Sequence, residues 1–193
     1  MTRTHQPYLY ENVAQHWASH WPSHRQKIEA ATYAGLYIAW ALLAGLGSGK
    51  CRGAPLPLES LRQRDTTPGR FYFETLEGVF DETLLNDEGN VFTTVYFDSH
   101  FRSYSDHYIE VAPNHLIYFF DVPDTWEVFD ALRLLANRRY ATWRECSGTL
   151  EDRVRQFTRM LPPRPAEYDL ELWEYNQREI ARLMERLRER GFR

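Results

Sequence analysis

The stretch from Ala30 to Gly49 constrains the fold most, because it runs for twenty residues without a charged side chain. That length is enough for one helix to span a bilayer. Alanine, glycine, threonine and tyrosine dilute its few strong aliphatic residues, so its membrane-insertion signal is weak. It instead predicts a buried helix from Ile28 to Leu46, with small residues that allow close packing and glycines that mark its end. We expect no membrane partner.

Periodic apolar positions predict helices along most of the chain, and one β-branched and aromatic run predicts a strand. The predicted helices cover residues 28–46, 58–64, 68–76, 82–111 as one or two helices, 124–143 with Asp124 as the cap, and a segment that begins at Ser147 or Thr149 and ends before Pro162. The strand candidate is Leu116–Val122. The predicted fold is therefore mainly α, a helical single domain with at most a small β-sheet, and α+β is the alternative.

The clearest break in the chain is the proline-rich segment Leu161–Pro165. Beyond it, apolar residues recur at three- and four-residue steps on a charged helix. We therefore predict a main globular domain over residues 1–161 and a C-terminal amphipathic helix over residues 162–193 that packs on it. The same apolar face is also suited to a homodimer contact.

The total charge hides an uneven distribution. The chain has 23 basic and 27 acidic side chains, a net charge of −4, which excludes a non-specific nucleic-acid binder held by phosphate contacts. Residues 71–130 alone contain thirteen acidic side chains against Arg102, a net charge of −12. If these acids share one face, they can steer a cationic protein partner. The alternative is that they are scattered over a solvated surface.

Two histidine groups are candidates for chemistry. His16, His20 and His24 have a spacing that aligns ring nitrogens on one helix face and is suited to a metal, but a proline interrupts the span, and we expect no metal site. A second group, His100 with Asp106 and His107, forms an acid–base pair only if folding brings its members together. No nucleophile motif accompanies it, so we expect surface residues there.

The cysteines and the N-terminus indicate the compartment. Cys51 and Cys146 are far apart in the sequence, outside any zinc-binding pattern. A disulfide between them is one alternative, although two isolated thiols fit a reducing cytosol at least as well. The first ten residues lack the pattern of a secretory signal. We expect a cytoplasmic protein.

Several blocks of the sequence follow one another in an order that is typical of a known family. They are Ala30–Leu46, the TPGRF segment Thr67–Phe71, Phe80–Tyr108 and Val122–Trp143, and their most specific pieces are NDEGN (Asn86–Asn90) and DTWE (Asp124–Glu127). Over about residues 8–144 the chain resembles a bacterial domain family of unassigned biochemistry. Members of that family are often encoded beside polymorphic or contact-delivered toxins, as immunity proteins. The resemblance implies no catalytic residue and leaves residues 146–193 unexplained.

This resemblance implies a protein that neutralises a cognate toxin, such as a secretion-system effector, without a cofactor or metal. An acidic surface rich in aromatic residues is suited to block a cationic active site. Aromatic rings become buried in the interface, and carboxylates form hydrogen bonds with arginine. The candidate contact residues are Asp87, Glu88, Asp98, Tyr104, Asp106, Glu110 and Asp124. The alternatives are a carboxylate- or histidine-dependent enzyme and a homo-oligomeric scaffold.

Overall fold

Helices dominate the computed structural model, which describes residues 6–15, 26–98, 104–112, 121–160, 178, 180–182 and 184–192. The α-helices are α1 (Thr32–Leu43), α2 (Glu59–Arg62), α3 (Pro68–Thr75), α4 (Asp87–Tyr96), α5 (Tyr104–Glu110), α6 (Trp126–Glu145) and α7 (Leu150–Arg159), and 3₁₀ helices cover Lys27–Ala31 and Glu82–Leu84. The strands are β1 (Leu9–Asn12), β2 (Lys50–Cys51), β3 (Ala54–Pro55) and β4 (Val79–Asp81). The prediction of a mainly α fold with minor β structure is confirmed.

The described β structure consists of two short antiparallel pairs. β1 pairs antiparallel with β4, with an irregularity between Leu9 and Glu11, and β2 pairs antiparallel with β3. Most of the strand candidate Leu116–Val122 falls on residues 116–120, outside the described residues. Its last two residues are not in a strand. The paired strands have two to four residues each, too short for an alternating pattern to stand out in the sequence.

The chain divides into two compact units. The first unit comprises Met1–Asn90 with Tyr108–Arg133, and the second comprises Val91–His107 with Leu134–Arg193. The boundary predicted after residue 161 stays a prediction.

The uncharged stretch forms the centre of the first unit. Leu36, Tyr37, Ile38 and Trp40 of α1 are all at most 1% exposed, which confirms the predicted buried helix. The helix ends where Gly45 adopts a positive φ of 82°, a conformation that glycine adopts without steric cost. Among the described residues, no helix combines the length and the apolar composition needed to cross a membrane.

An aromatic cluster forms the core of the second unit. Phe92 packs against Trp143 and Phe157, with ring centroids 6.3 and 6.2 Å away. Residues 184–189 are helical, and Met184 and Leu187 are buried. The predicted amphipathic C-terminal helix is confirmed for the described residues. Ile180 is buried as well, and the homodimer contact expected for this helix stays a prediction.

Thr149, one of the two predicted starts, caps helix α7. The Thr149 hydroxyl accepts a hydrogen bond from the Asp152 amide (3.2 Å), and the Asp152 carboxylate accepts one from the Thr149 amide (3.0 Å). This reciprocal pair is a capping box. We expect Thr149→Ala to lower the free energy of unfolding by about 1 kcal/mol in urea titrations. Ser147→Ala, at the other predicted start, should change it by less than about 0.5 kcal/mol; equal losses would contradict the assignment.

Candidate functional site

The acidic side chains concentrate in the first unit. That unit contains fifteen acidic and nine basic side chains, a net charge of −6, whereas the second contains twelve acidic and fourteen basic, a net charge of +2. Eleven of the thirteen acids in residues 71–130 belong to the first unit, and all thirteen have solvent-exposed surface. The acidic segment of the sequence thus becomes surface charge that is carried mainly by one unit, where it can attract cations.

Some of these carboxylates already have arginine partners. Glu77 lies 2.5 Å from Arg52, and Asp130 lies 2.8 Å from Arg64. The hydrogen bond from Arg52 lowers the pKa of Glu77. Exposed ion pairs of this kind contribute about 0–1 kcal/mol and are screened by salt. A cationic partner can therefore replace these arginines at little cost.

The NDEGN motif holds helix ends in place. The Asn86 side-chain oxygen accepts a hydrogen bond from the Gly89 amide (2.8 Å) at the start of α4, and its side-chain nitrogen donates to the Gly45 carbonyl (3.1 Å) at the end of α1. Asn90 is buried and its side-chain oxygen accepts from the Tyr10 hydroxyl (3.0 Å). Three of the five motif residues thus serve the fold.

The motif's acids and two acids on α5 face solvent. Asp87, Asp106 and Glu110 are exposed, and Glu88 is half-buried. No side-chain hydrogen bond or ion pair engages Asp87, Asp106 or Glu110 within the described part of the chain. Of the predicted contact residues, the first unit contains Asp87, Glu88, Glu110 and Asp124, and the second contains Asp98, Tyr104 and Asp106.

Two predicted contact residues are engaged inside the second unit. Asp98 is half-buried and forms an ion pair with Arg186. Tyr104 is 0% exposed, and its ring packs against Tyr96 and Phe97, with centroids 5.8 and 5.4 Å away. A side chain without exposed surface does not reach a partner. We therefore correct the interpretation of Tyr104 from surface anchor to core residue.

Asp124 caps a different helix from the predicted one. Its carboxylate accepts hydrogen bonds from the amides of Gly69 (2.7 Å) and Arg70 (3.0 Å) and from the Thr67 hydroxyl, at the start of α3. The third amide of α6 is 3.4 Å from the Thr125 hydroxyl instead. The prediction that Asp124 caps the helix over residues 124–143 is wrong, because its side chain meets a helix more than fifty residues earlier in the chain.

Glycines explain how closely α1 approaches α3, and α3 approaches Asp124. A Cβ atom at Gly69 would lie 2.7 Å from the Asp124 carboxylate, and one at Gly35 of α1 would lie 2.5 Å from the Gly69 Cα. Pro68, the first residue of α3, needs no amide partner there. The TPGRF and DTWE motifs therefore meet in one structural junction. The proline–glycine pair at a helix start was the available sequence signal for it.

A half-open cavity of about 320 Å³ lies beside Asp124 in the first unit. Among the described residues, its polar lining comes from Glu29, Thr32, Asp121 and Asp124, and its apolar lining includes Ile28. Sequence reasoning missed Glu29, Thr32 and Asp121 as members of one site. The available signal was Thr32, a polar residue inside the uncharged stretch, which is only 2% exposed.

His107, from the second histidine group, forms polar contacts within the second unit. The Tyr96 hydroxyl lies 2.7 Å from Nδ1 of His107, and the Arg139 guanidinium lies 3.5 Å from Nε2. Because arginine only donates, the contact with Arg139 favours the tautomer of His107 that has its hydrogen on Nδ1. Burial lowers the pKa of Arg139. These contacts join α4, α5 and α6, so His107 has a structural role; His100 lies outside the described residues.

The remaining candidates for chemistry give no site in the described residues. Cys51 and Cys146 are free thiols, and burial raises the pKa of each, which disfavours a reactive thiolate. The described residues contain no group of three or more histidine, cysteine or carboxylate side chains arranged to hold a metal ion. The triad His16, His20 and His24 lies outside them.

Comparison with known proteins identifies a family but no function. No curated protein and no solved structure matches the chain. One family, described as a domain of unknown function (DUF7832), matches residues 9–122. The match includes TPGRF and NDEGN, and DTWE lies beyond it. The predicted resemblance to a family of unassigned biochemistry is confirmed to this extent. Because the match covers more than half of its length, this chain belongs to the DUF7832 family.

Proposed function

We propose that the chain is a cytoplasmic immunity protein, which binds a cognate bacterial toxin and blocks its cationic active site with the acidic surface of the first unit. The observation that carries the proposal is the net charge of −6 in that unit, with its central acids at the surface. Toxins that act on nucleic acids need cationic sites for phosphate. An acidic surface on this chain would accelerate its association with a cationic toxin, and it would repel other acidic proteins.

Unpaired carboxylates support binding rather than a purely solvating role. Asp87 and Glu110 are exposed, and the side chain of neither has a hydrogen bond or ion pair within the described residues. Binding to arginine or lysine of a partner would therefore require no internal ion pair to break. Such charge-assisted hydrogen bonds are stronger than bonds between neutral groups.

An exposed apolar residue next to Glu110 offers a partner a hydrophobic contact. Ile109 is 60% exposed and directly precedes Glu110 on α5. The predicted aromatic anchors are largely core residues, as Tyr104 illustrates. In the proposal, aliphatic side chains such as Ile109 therefore take over the anchoring role, and the carboxylates surround them.

The proposal is tested by charge reversal on the first unit. We expect the full chain to form a complex with the toxin encoded beside its gene and to protect cells that express that toxin. The double variant Asp87→Lys/Glu110→Lys should bind at least about tenfold more weakly by calorimetry, because two attractions become repulsions, and the loss should shrink as salt is added.

The matched control reverses two exposed acids of the second unit, Glu145→Lys and Glu189→Lys. It changes the total charge by the same amount and should leave the affinity within about twofold. The proposal fails if the neighbouring toxin gives neither complex nor protection. It also fails if the control weakens binding as much as the first-unit variant does, because the effect would then come from total charge.

A further inference from the structure

We infer that the chain associates with a second copy of itself, in a head-to-tail contact between the outer side of α6 in one copy and the acidic surface of the first unit in the next. The two units have opposite net charges, −6 for the first and +2 for the second. A basic surface of one copy can therefore attract an acidic surface of another.

The basic half of this contact is the outer side of α6 within the second unit. Leu134, Arg138, Ala141 and Glu145 recur at three- and four-residue steps, which places them on one side of the helix over about 16 Å. All four are exposed, as is Arg144 beside them. Leu134 is 58% exposed. These five residues, named the α6 face below, therefore present an apolar side chain to solvent together with charged ones.

The two arginines of the α6 face are available to a partner. Within the described part of the chain, no side-chain hydrogen bond or ion pair engages Arg138 or Arg144. Guanidinium groups form paired hydrogen bonds with carboxylates. Glu145 reduces the net charge of the α6 face to +1. Binding to an acidic surface therefore depends mainly on the two arginines.

The acidic half of the contact lies in the first unit and has a similar composition. Ile109 is 60% exposed and directly precedes Glu110 on α5. The exposed side chains of Asp87 and Glu110 have no hydrogen bond or ion pair with the described residues. A contact between Ile109 and Leu134 would remove apolar surface from water. Contacts between the carboxylates and the arginines would break no described ion pair.

These features favour a second copy over another acidic macromolecule, because every chain presents both halves of the contact. The α6 face is short, so the contact buries less surface than a standard stable interface. The copies also repel each other at long range, since each has a net charge of −4. We therefore expect weak association, with a dissociation constant of about 10–100 µM. Because its two halves differ, the contact leaves one surface of each kind open at the ends of an assembly.

The inference goes beyond the proposed function, although it uses the same carboxylates. A toxin bound to Asp87 and Glu110 would compete with the second copy. Self-association is measured on the purified chain without any toxin, so failure here and failure of the proposed function are distinguishable.

The test is sedimentation equilibrium of the full chain over a range of concentrations. We expect the average mass to rise with concentration at about 0.05 M salt and to return to the monomer mass at about 0.5 M. The double variants Arg138→Gln/Arg144→Gln and Asp87→Asn/Glu110→Gln should each weaken association about tenfold or more, because each removes the charges from one half of the contact. Glu145→Gln should strengthen it.

Mixing the two double variants tests the head-to-tail arrangement directly. One variant retains the acidic surface and the other retains the α6 face, so a single intact contact can form between them. The mixture should therefore contain a 1:1 complex with twice the monomer mass. A contact between two identical faces would not be restored by mixing.

The matched control is Arg159→Gln/Arg178→Gln, which removes two exposed arginines of the second unit outside α6. It should leave the association within about twofold. Circular dichroism should be unchanged in every variant, since all substituted side chains are exposed. The inference is overturned if the chain stays monomeric at about 1 mM and low salt, if the mixed variants do not associate, or if the control weakens association as much as the α6 variant does.

Discussion

Replacing Gly35 by valine is expected to destabilise the first unit by about 3 kcal/mol. A Cβ atom at this position would lie 2.5 Å from the Gly69 Cα and 2.8 Å from the Pro68 carbonyl oxygen. Both are backbone atoms of α3, so no side-chain rotation relieves the clash and the helices must separate. Urea unfolding of the full chain, followed by circular dichroism, measures the loss.

Leu43→Val is the matched control, because it introduces the same β-branched residue into α1 at an exposed position. We expect it to change the free energy of unfolding by less than about 0.5 kcal/mol, a helix-propensity effect. If Gly35→Val proves as mild as this control, the close approach of α1 to α3 is not what holds the two helices together.

Asp124→Ala is expected to lower the free energy of unfolding by about 2–3 kcal/mol. The substitution leaves two amides and one hydroxyl at the start of α3 without their acceptor. Asp124→Asn should lose less, since its amide retains one oxygen acceptor. Hydrogen exchange at the Gly69 and Arg70 amides should accelerate in both variants, which localises the effect to this helix start.

Glu110→Ala serves as the control for this variant, because it removes an exposed carboxylate that has no described partner. Its effect should stay within about 0.5 kcal/mol. Equal losses in Asp124→Ala and Glu110→Ala would contradict the capping role and indicate a general response to the removal of charge.

Much of the fold was predictable because its signals are local. Helix α1 was visible from an uncharged run that ends in glycine, and the start of α7 from a threonine in a capping position. The error at Asp124 has the same origin. Local rules place an aspartate before the nearest helix, whereas the folded chain brings it to Gly69, fifty-five residues away.

The cavity was not predictable for a related reason. Glu29 and Thr32 stand about ninety residues before Asp121 and Asp124 in the sequence, and helical periodicity does not specify which loop packs beside which helix. The burial of Tyr104 was easier to predict from the sequence. It and Tyr108 stand four residues apart on α5, and that spacing places both on one face of the helix; both are buried.

The five residues of NDEGN have a consequence for how such a protein can evolve. Asn86, Gly89 and Asn90 are needed where helices begin and end, whereas Asp87 points to solvent and engages nothing else in the described chain. Substitution at Asp87 leaves those contacts intact. Selection for a new partner and selection for the same fold can therefore act on neighbouring positions of one short motif without conflict.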